Sequence, residues 1–178
     1  DDPPNWGLCP IQDVVKPFAE AQAAPDGLNV DSTNQSTDIE GDALTGTEAN
    51  PMFQGNVTMR RGEQFIGADQ ITFDKESERY TAEGSIRYQG SGLRMVAARA
   101  EGNQATDTHV IHDLDYQLLA NRGNGGAERV TLTGDIGSLH GATYSTCAPD
   151  ARHWELRANR IDIDTEKGMA VARGATLR

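Results

Sequence analysis

The sequence predicts an all-β domain of about ten antiparallel strands, a sandwich, jellyroll or open barrel, preceded by an irregular arm. Three observations predict it. From about Thr37 onward apolar residues recur at every second position, the side-chain period of a strand with one dry and one wet face. Clusters of turn-forming residues separate these runs. After residue 36 no segment sustains the period of an amphipathic helix.

Residues 1–36, which carry Cys9, form the arm, and residues 37–178 form the domain. Pro3, Pro4, Pro10, Pro17 and Pro25 break any long element in the arm. Ile11, Val14, Val15 and Phe18 have helical spacing. They allow one or two turns, which Pro17 keeps short. The arm is expected either to pack loosely through these residues or to dock on another part of a larger protein.

In the domain, Phe53, Gly55, Val57 and Met59 alternate with polar neighbours, as do Tyr80, Ala82, Gly84, Ile86 and Tyr88. Val110, His112, Leu114, Tyr116 and Leu118 form a third alternating run. Arg61-Gly62-Glu63, Gln89-Gly90-Ser91-Gly92 and Asn121–Gly126 read as the turns between strands.

The domain also repeats itself. Gly55-Asn56-Val57 matches Gly84-Ser85-Ile86 at an offset of 29. At an offset of 90, the segment Ala68–Asp74 matches Ala158–Asp164, and Ala82-Glu83-Gly84 matches Ala172-Arg173-Gly174. Both copies of the longer match switch phase: Ile66 and Ala68 are even where Ile71 and Phe73 are odd, and Leu156 and Ala158 are even where Ile161 and Ile163 are odd. One inserted residue moves the apolar set to the other parity, so a β-bulge is expected at equivalent points, bending the strands around a shared interior.

Charge narrows the function. The 178 residues carry a net charge of −11, which argues against binding a phosphate backbone and against a cationic membrane-surface helix. Residues 1–50 account for −9 and the remainder for −2, so the acidity belongs mainly to the arm and the first strand. No run of 18 apolar residues is present, and none would span a membrane as a helix. The chain opens at Asp1 rather than Met, as expected of a processed or trimmed chain.

Candidate chemistry is sparse. His109 and His112 are three apart, an odd spacing that places them on opposite faces of a strand. His112 has the apolar parity, so it is expected to be a buried, satisfied histidine. No close H-x-H pair suggests a cupin-type metal site, and neither metal nor cofactor is expected. Asp162 and Asp164 share a face opposite Ile161 and Ile163, as a solvated polar face would. Ser138 and Ser145 lack the G-x-S-x-G context of a nucleophile elbow. The chain is therefore not expected to be an enzyme.

Cys9 and Cys147 are 138 residues apart, which excludes C-x-x-C redox chemistry. They are open to three readings: a mutual disulfide that pins the arm, two free thiols, or bonds to cysteines elsewhere in a longer chain. An oxidising compartment favours the first.

Asn5-Trp6-Gly7-Leu8-Cys9, with Tyr144-Ser145-Thr146-Cys147, Trp154–Ala158, Ile161–Asp164 and Ala175–Arg178, resembles the N-terminal periplasmic region of the LptD family of outer-membrane lipopolysaccharide assembly proteins. The repeats resemble the OstA/LptA-like jellyroll of periplasmic lipopolysaccharide transport. The resemblance covers nearly the whole chain and is strongest at residues 5–9 and 141–178. It implies a twisted, V-shaped β-jellyroll whose apolar groove holds lipid A acyl chains, with a transmembrane β-barrel following Arg178. The first edge strand, Asp38, Ile39, Glu40, Gly41, Asp42, Ala43 and Leu44, would accept the last strand of an LptA bridge by β-augmentation. LptE would associate through the barrel. Cys9 and Cys147 would bond to a cysteine pair near the end of that barrel, which favours the third reading in the full protein. The domain would sit on the periplasmic face of the Gram-negative outer membrane.

Alternation and this resemblance together nominate a groove lining: Val57, Met59, Phe65, Ile71, Phe73, Tyr80, Ile86, Tyr88, Met95, Leu114, Tyr116, Leu118, Val130, Leu132, Trp154, Leu156, Ile161 and Ile163. For any one of them the plainer reading is a closed core; an open groove is a property of the set. Arg60 and Arg94 are candidates to meet lipid phosphates, against the plainer reading of solvated arginines. The alternative functions are a carbohydrate-binding or a catalytic jellyroll, though ten aromatic residues in the whole chain make a thin sugar platform.

Overall fold

The computed structural model describes residues 9, 12–22, 36–120 and 122–178. The Asn5–Leu8 motif, Ile11 and most of the arm lie outside the described residues. Eleven strands follow a short helix, α1 (Ala19–Gln22): β1 (Asp38–Glu40), β2 (Ala43–Gly46), β3 (Pro51–Arg61), β4 (Gln64–Phe73), β5 (Arg79–Gly90), β6 (Leu93–Asn103), β7 (Thr108–Leu118), β8 (Asn124–Thr133), β9 (Ile136–Tyr144), β10 (Leu156–Asp164) and β11 (Met169–Leu177). From β3 to β11 each strand pairs antiparallel with the next, in one meander. β1 and β2 both pair with β3, at Thr58–Arg60 and Pro51–Gln54 respectively. They are the two halves of one broken edge strand.

The break in that edge continues across the sheet. Register shifts fall between Gln54 and Val57, between Gly67 and Gln70, and between Glu83 and Ile86. Farther on, the ladder passes from Ala97↔Leu114 to Arg99↔His112, and from Ala158↔Ala175 to Arg160↔Arg173. Every second strand places a left-handed residue on this line: Gly55 and Asn56, Gly84 and Ser85, Asp113, Gly141 and Gly174 have φ between 47° and 78°. The facing strands set a polar side chain against four of the glycines. A Cβ at Gly55 would lie 2.8 Å from Asp42 Oδ2, and one at Gly84 2.4 Å from Asp69 Oδ2. Glu128 covers Gly141 and Asn159 covers Gly174 in the same way. The 90-residue repeat thus copies a contact, since Asp69 over Gly84 corresponds to Asn159 over Gly174.

This line folds the sheet into two leaves that pack face to face as a jellyroll. The first leaf holds the half-strands beginning with 57–61 and 64–68. The second holds those beginning with 51–54 and 70–73. One continuous cluster fills the space between them: Val57, Met59, Ile66, Ile86 and Tyr88 from the first leaf meet Ile71, Tyr80, Ile111, Val130 and Leu139 from the second, all almost fully buried. The phase switches expected at Asp69 and Asn159 are present, and they keep apolar side chains inside both leaves.

The arm docks on the outer face of the first leaf. Val15 and Phe18 pack on Phe65, with the two phenyl rings 6.3 Å apart. The backbone N–H groups of Val14 and Val15 donate to Gln117 Oε1 at 2.8 and 2.9 Å, and Gln117 Nε2 donates to Asp13 Oδ1 at 2.9 Å. Arg94 donates to the Val15 carbonyl at 2.9 Å. Arg60 stacks over Phe65, 5.1 Å from the ring centroid, and donates to the Glu20 carbonyl. Phe65 is therefore not a lining residue. It follows the turn on the parity opposite Ile66, points outward, and is buried by the arm. Arg60 and Arg94 are likewise engaged on the outer face rather than at the interior.

Candidate functional site

The space between the leaves is the candidate site. Alternation supplies its lining, because each half-strand turns every second side chain inward and the bulge line restores that parity on the far side. Of the expected lining, Val57, Met59, Ile71, Phe73, Tyr80, Ile86, Tyr88, Met95, Leu114, Tyr116, Leu118, Val130, Leu132, Ile161 and Ile163 all lie in the one interior cluster. In this structure they form a closed core. Trp154 and Leu156 do not join that cluster. Both are half-buried; Trp154 precedes β10 and packs on Tyr144 at 5.9 Å, while Leu156 pairs with Leu177 at the open end of the last hairpin.

The interior also takes residues beyond the expected lining. Ile66, Leu93, Ile111 and Leu139 are buried there, with Ala68, Ala82 and Ala100. Ile66 and Ala68 were legible, since they mark the phase switch. Ile111 was hidden by a third switch: Asp113 is left-handed at φ 51°, so parity changes within β7. The same switch reverses the two histidines. His109, not His112, is the buried one, at 2% exposure; His112 faces outward and pairs with Glu101 at 3.1 Å. The two rings do lie on opposite faces.

His109 anchors a polar group at one rim of the apolar interior. The Tyr80 hydroxyl lies 2.6 Å from its Nδ1 and Asp107 Oδ1 lies 3.0 Å from its Nε2. The Gln64 amide lies 2.7 Å from the same Nε2 and donates to the Tyr88 hydroxyl at 3.3 Å. With Tyr80 donating to Nδ1, the ring N–H at Nε2 is left for Asp107, and the Gln64 amide N–H groups find their acceptors in Asp107 Oδ1 and the Tyr88 hydroxyl rather than in the ring. The hydrogen bond from His109 holds the Asp107 carboxyl below its ordinary range. Burial pushes the phenols of Tyr80, Tyr88 and Tyr116 up, so each is a neutral donor or acceptor at neutral pH.

The outer face of the second leaf is polar. Asp162 accepts from Ser138 at 2.7 Å and from Arg160 at 2.6 Å, and lies 3.6 Å from Arg173. These bonds hold its carboxyl below the usual range. Asp74 accepts the backbone N–H groups of Glu76 and Ser77 and so fixes a turn.

The two sheet edges differ. On β1–β2, Asp38, Glu40, Gly41, Asp42, Ala43 and Leu44 are exposed, while Ile39 packs against the core. On β11, Met169, Val171 and Leu177 are exposed apolar residues. Asp42 belongs to both the edge and the bend, since its N–H donates to the Gly55 carbonyl at 2.9 Å and its carboxylate accepts from Asn56 at 2.9 Å.

Cys9 and Cys147 are joined to each other, with Cα atoms 5.1 Å apart. This is the first of the three readings, where the resemblance implied bonds to cysteines beyond Arg178. The physical basis is local: the docked arm carries Cys9 to the β9–β10 connection. There Cys147 is buried, its N–H donates to Ser145 Oγ, and its carbonyl accepts from Asn124.

Residues 29–169 match the family described as the LptA/(LptD N-terminal domain) LPS transport protein. The LPS-assembly protein LptD of Xanthomonas euvesicatoria pv. vesicatoria (strain 85-10) is 49% identical over 178 residues, all of this chain and 22% of that protein. LptD of Xylella fastidiosa (strain 9a5c) is 48% identical over 177 residues, 99% of this chain and 22% of that protein. The chain thus spans about a fifth of the length of these relatives. LptH of Pseudomonas aeruginosa, the LptA-homologous periplasmic component of its lipopolysaccharide transport device, aligns with a TM-score of 0.34 at 12% identity, covering 81% of this chain and 94% of that one. A family match across most of the jellyroll, with close relatives along the entire chain, places this protein in the LptA/LptD N-terminal-domain family, whose members are transport components and not enzymes.

Proposed function

We propose that this chain receives lipopolysaccharide in the periplasm from an LptA-type bridge and guides its acyl chains between the two leaves toward an outer-membrane barrel. The partner strand adds to the β1–β2 edge, which has a neighbour on one side only. β11 forms the opposite end of the same interior and points the route onward. LptE takes part only through the barrel. The observation that carries this reading is the interior itself: one apolar space, continuous along the meander, lined by buried residues of the eight successive strands β3 to β10, with Ala172 of β11 packed against its end. A lipid chain entering it leaves water at about 25 cal/mol per Å². It meets a smooth apolar wall rather than a specific pocket, as a conduit requires.

Photocrosslinking residues placed at Phe73 or Ile86 should capture lipopolysaccharide acyl chains in cells, while the same residue at Arg160, on the outer face, should not. Capture at Arg160 alone would sink the proposal. The edge is tested by Ala43→Pro and Leu44→Pro made separately. Of two adjacent strand residues one presents its N–H to β3 and the other outward. One variant should therefore lose LptA binding while keeping the parent fold. Unchanged affinity in both would refute strand addition.

A further inference from the structure

We infer that the open rims of the two leaves are held together by a polar latch, and that this latch is tied to the first sheet edge through Arg61. The rims are the turns at the ends of the half-strands, farthest from the bend. Three contacts join them. Arg61, at the end of β3 in the first leaf, lies 3.3 Å from Glu78 in the turn before β5 of the second leaf. Gln64, opening β4 in the first leaf, lies 2.7 Å from His109 and 3.5 Å from Asp107, both on the second-leaf side. Ser91, in the β5–β6 turn of the first leaf, donates to the Gly134 carbonyl in the β8–β9 turn of the second at 2.8 Å.

The chemistry of these contacts suits opening. The rest of the interior is apolar, and an apolar rim would resist exposure to water. Hydroxyl, amide, guanidinium and carboxylate groups exchange a protein partner for a water molecule at small net cost. The Gln64 Oε1 and both polar side-chain atoms of Gln104, a residue of the same rim that is 2% exposed, are buried without a partner. These groups gain hydrogen bonds when water enters the rim. The hinge is equally prepared, because the backbone ladder is already interrupted along the bend. The leaves can therefore separate without breaking strand pairing. Arg61 also donates to Thr37 Oγ1 at 3.4 Å, immediately before β1. One guanidinium thus contacts both the latch and the strand proposed above to accept a partner. The use of the latch in transport rests on that proposal; the latch itself does not.

The test needs no lipid. Ala100→Cys places a thiol at a fully buried interior position in a chain whose two cysteines are already bonded. Its rate of labelling by a maleimide reports opening of the leaves. Adding Glu78→Gln with Gln64→Ala should raise that rate at least fivefold at an unchanged denaturant midpoint. Ser91→Ala, a milder change, should raise it less. Glu101→Gln, which alters the outward contact with His112, should leave it at the parent value. Thr37→Val should also raise the rate, although Thr37 is not at the rim. Equal rates in parent and latch variants, or rates that rise only in step with lost global stability, would overturn the latch. A parent rate in Thr37→Val would overturn the tie to the edge. Faster labelling in latch variants that capture no lipopolysaccharide would uphold the latch and count against the transport reading alone.

Discussion

A left-handed residue, a glycine in four of five strands, marks where a strand of this domain changes direction. At Gly84, φ is +78° and an added Cβ would sit 2.4 Å from Asp69 Oδ2. Gly134 also has a positive φ, +56°, but nothing lies within 4 Å of its added Cβ. The two positions separate conformational cost from collision. Gly134→Ala should cost about 1 kcal/mol, the left-handed penalty alone. Gly84→Ala carries that penalty and must also displace the Asp69 carboxylate, so it should cost about 2–3 kcal/mol. Denaturant midpoints of the two variants give the comparison. Equal losses would mean that Asp69 plays no part in the bend. The glycine was legible because its local sequence recurs: Gly55-Asn56 and Gly84-Ser85 bear the same left-handed pair, and the strand between them, β4, switches parity after Ala68. Asp113 was not legible. It performs the same turn with a non-glycine residue, and without a Gly the change of phase in β7 looked like continued alternation, which exchanged the roles of His109 and His112.

At the scale of an element, the arm shows what periodicity cannot convey. Val14, Val15 and Phe18 were visible as an apolar group, but their spacing holds no information about which surface receives them. That surface is set by Phe65, an outward-facing aromatic whose exposure would otherwise be costly, and by Gln117, a buried polar residue on the outer parity of β7. Gln117 fixes the register of the arm by accepting from two successive backbone amides. Replacing it with leucine leaves the apolar contacts but orphans those donors, each at about 1–3 kcal/mol when still buried. The arm should then detach rather than the sheet unfold. Hydrogen exchange at the Val14 and Val15 amides should accelerate in Gln117→Leu, while amides of the β4–β5 ladder keep parental protection. Slow exchange at Val14 and Val15 in the variant would show that the arm's other contacts, on Phe65 and from Arg94, secure it without Gln117.

For the whole molecule, the closed interior and the proposed cargo are energetically compatible because both are apolar. Opening the leaves costs one fixed amount, set by rim and core contacts, whatever enters. Each methylene of an entering chain then leaves water for an apolar wall at about 0.8 kcal/mol, or about fourfold in affinity. A half-strand of five residues spans roughly 17 Å at the usual rise, and the eight strands β3 to β10 at ordinary spacing extend the interior to roughly 34 Å in the other direction. A saturated chain of 10 to 16 carbons fits along the second dimension without reaching its end. Single-chain probes in that range should therefore bind with a constant increment per methylene and no plateau. The Ile86→Asp variant, which sets a carboxylate on the wall, should lower affinity across the whole series. An affinity independent of chain length would mean that probes bind at the polar rim or outer face, and the interior would then be a core and nothing more.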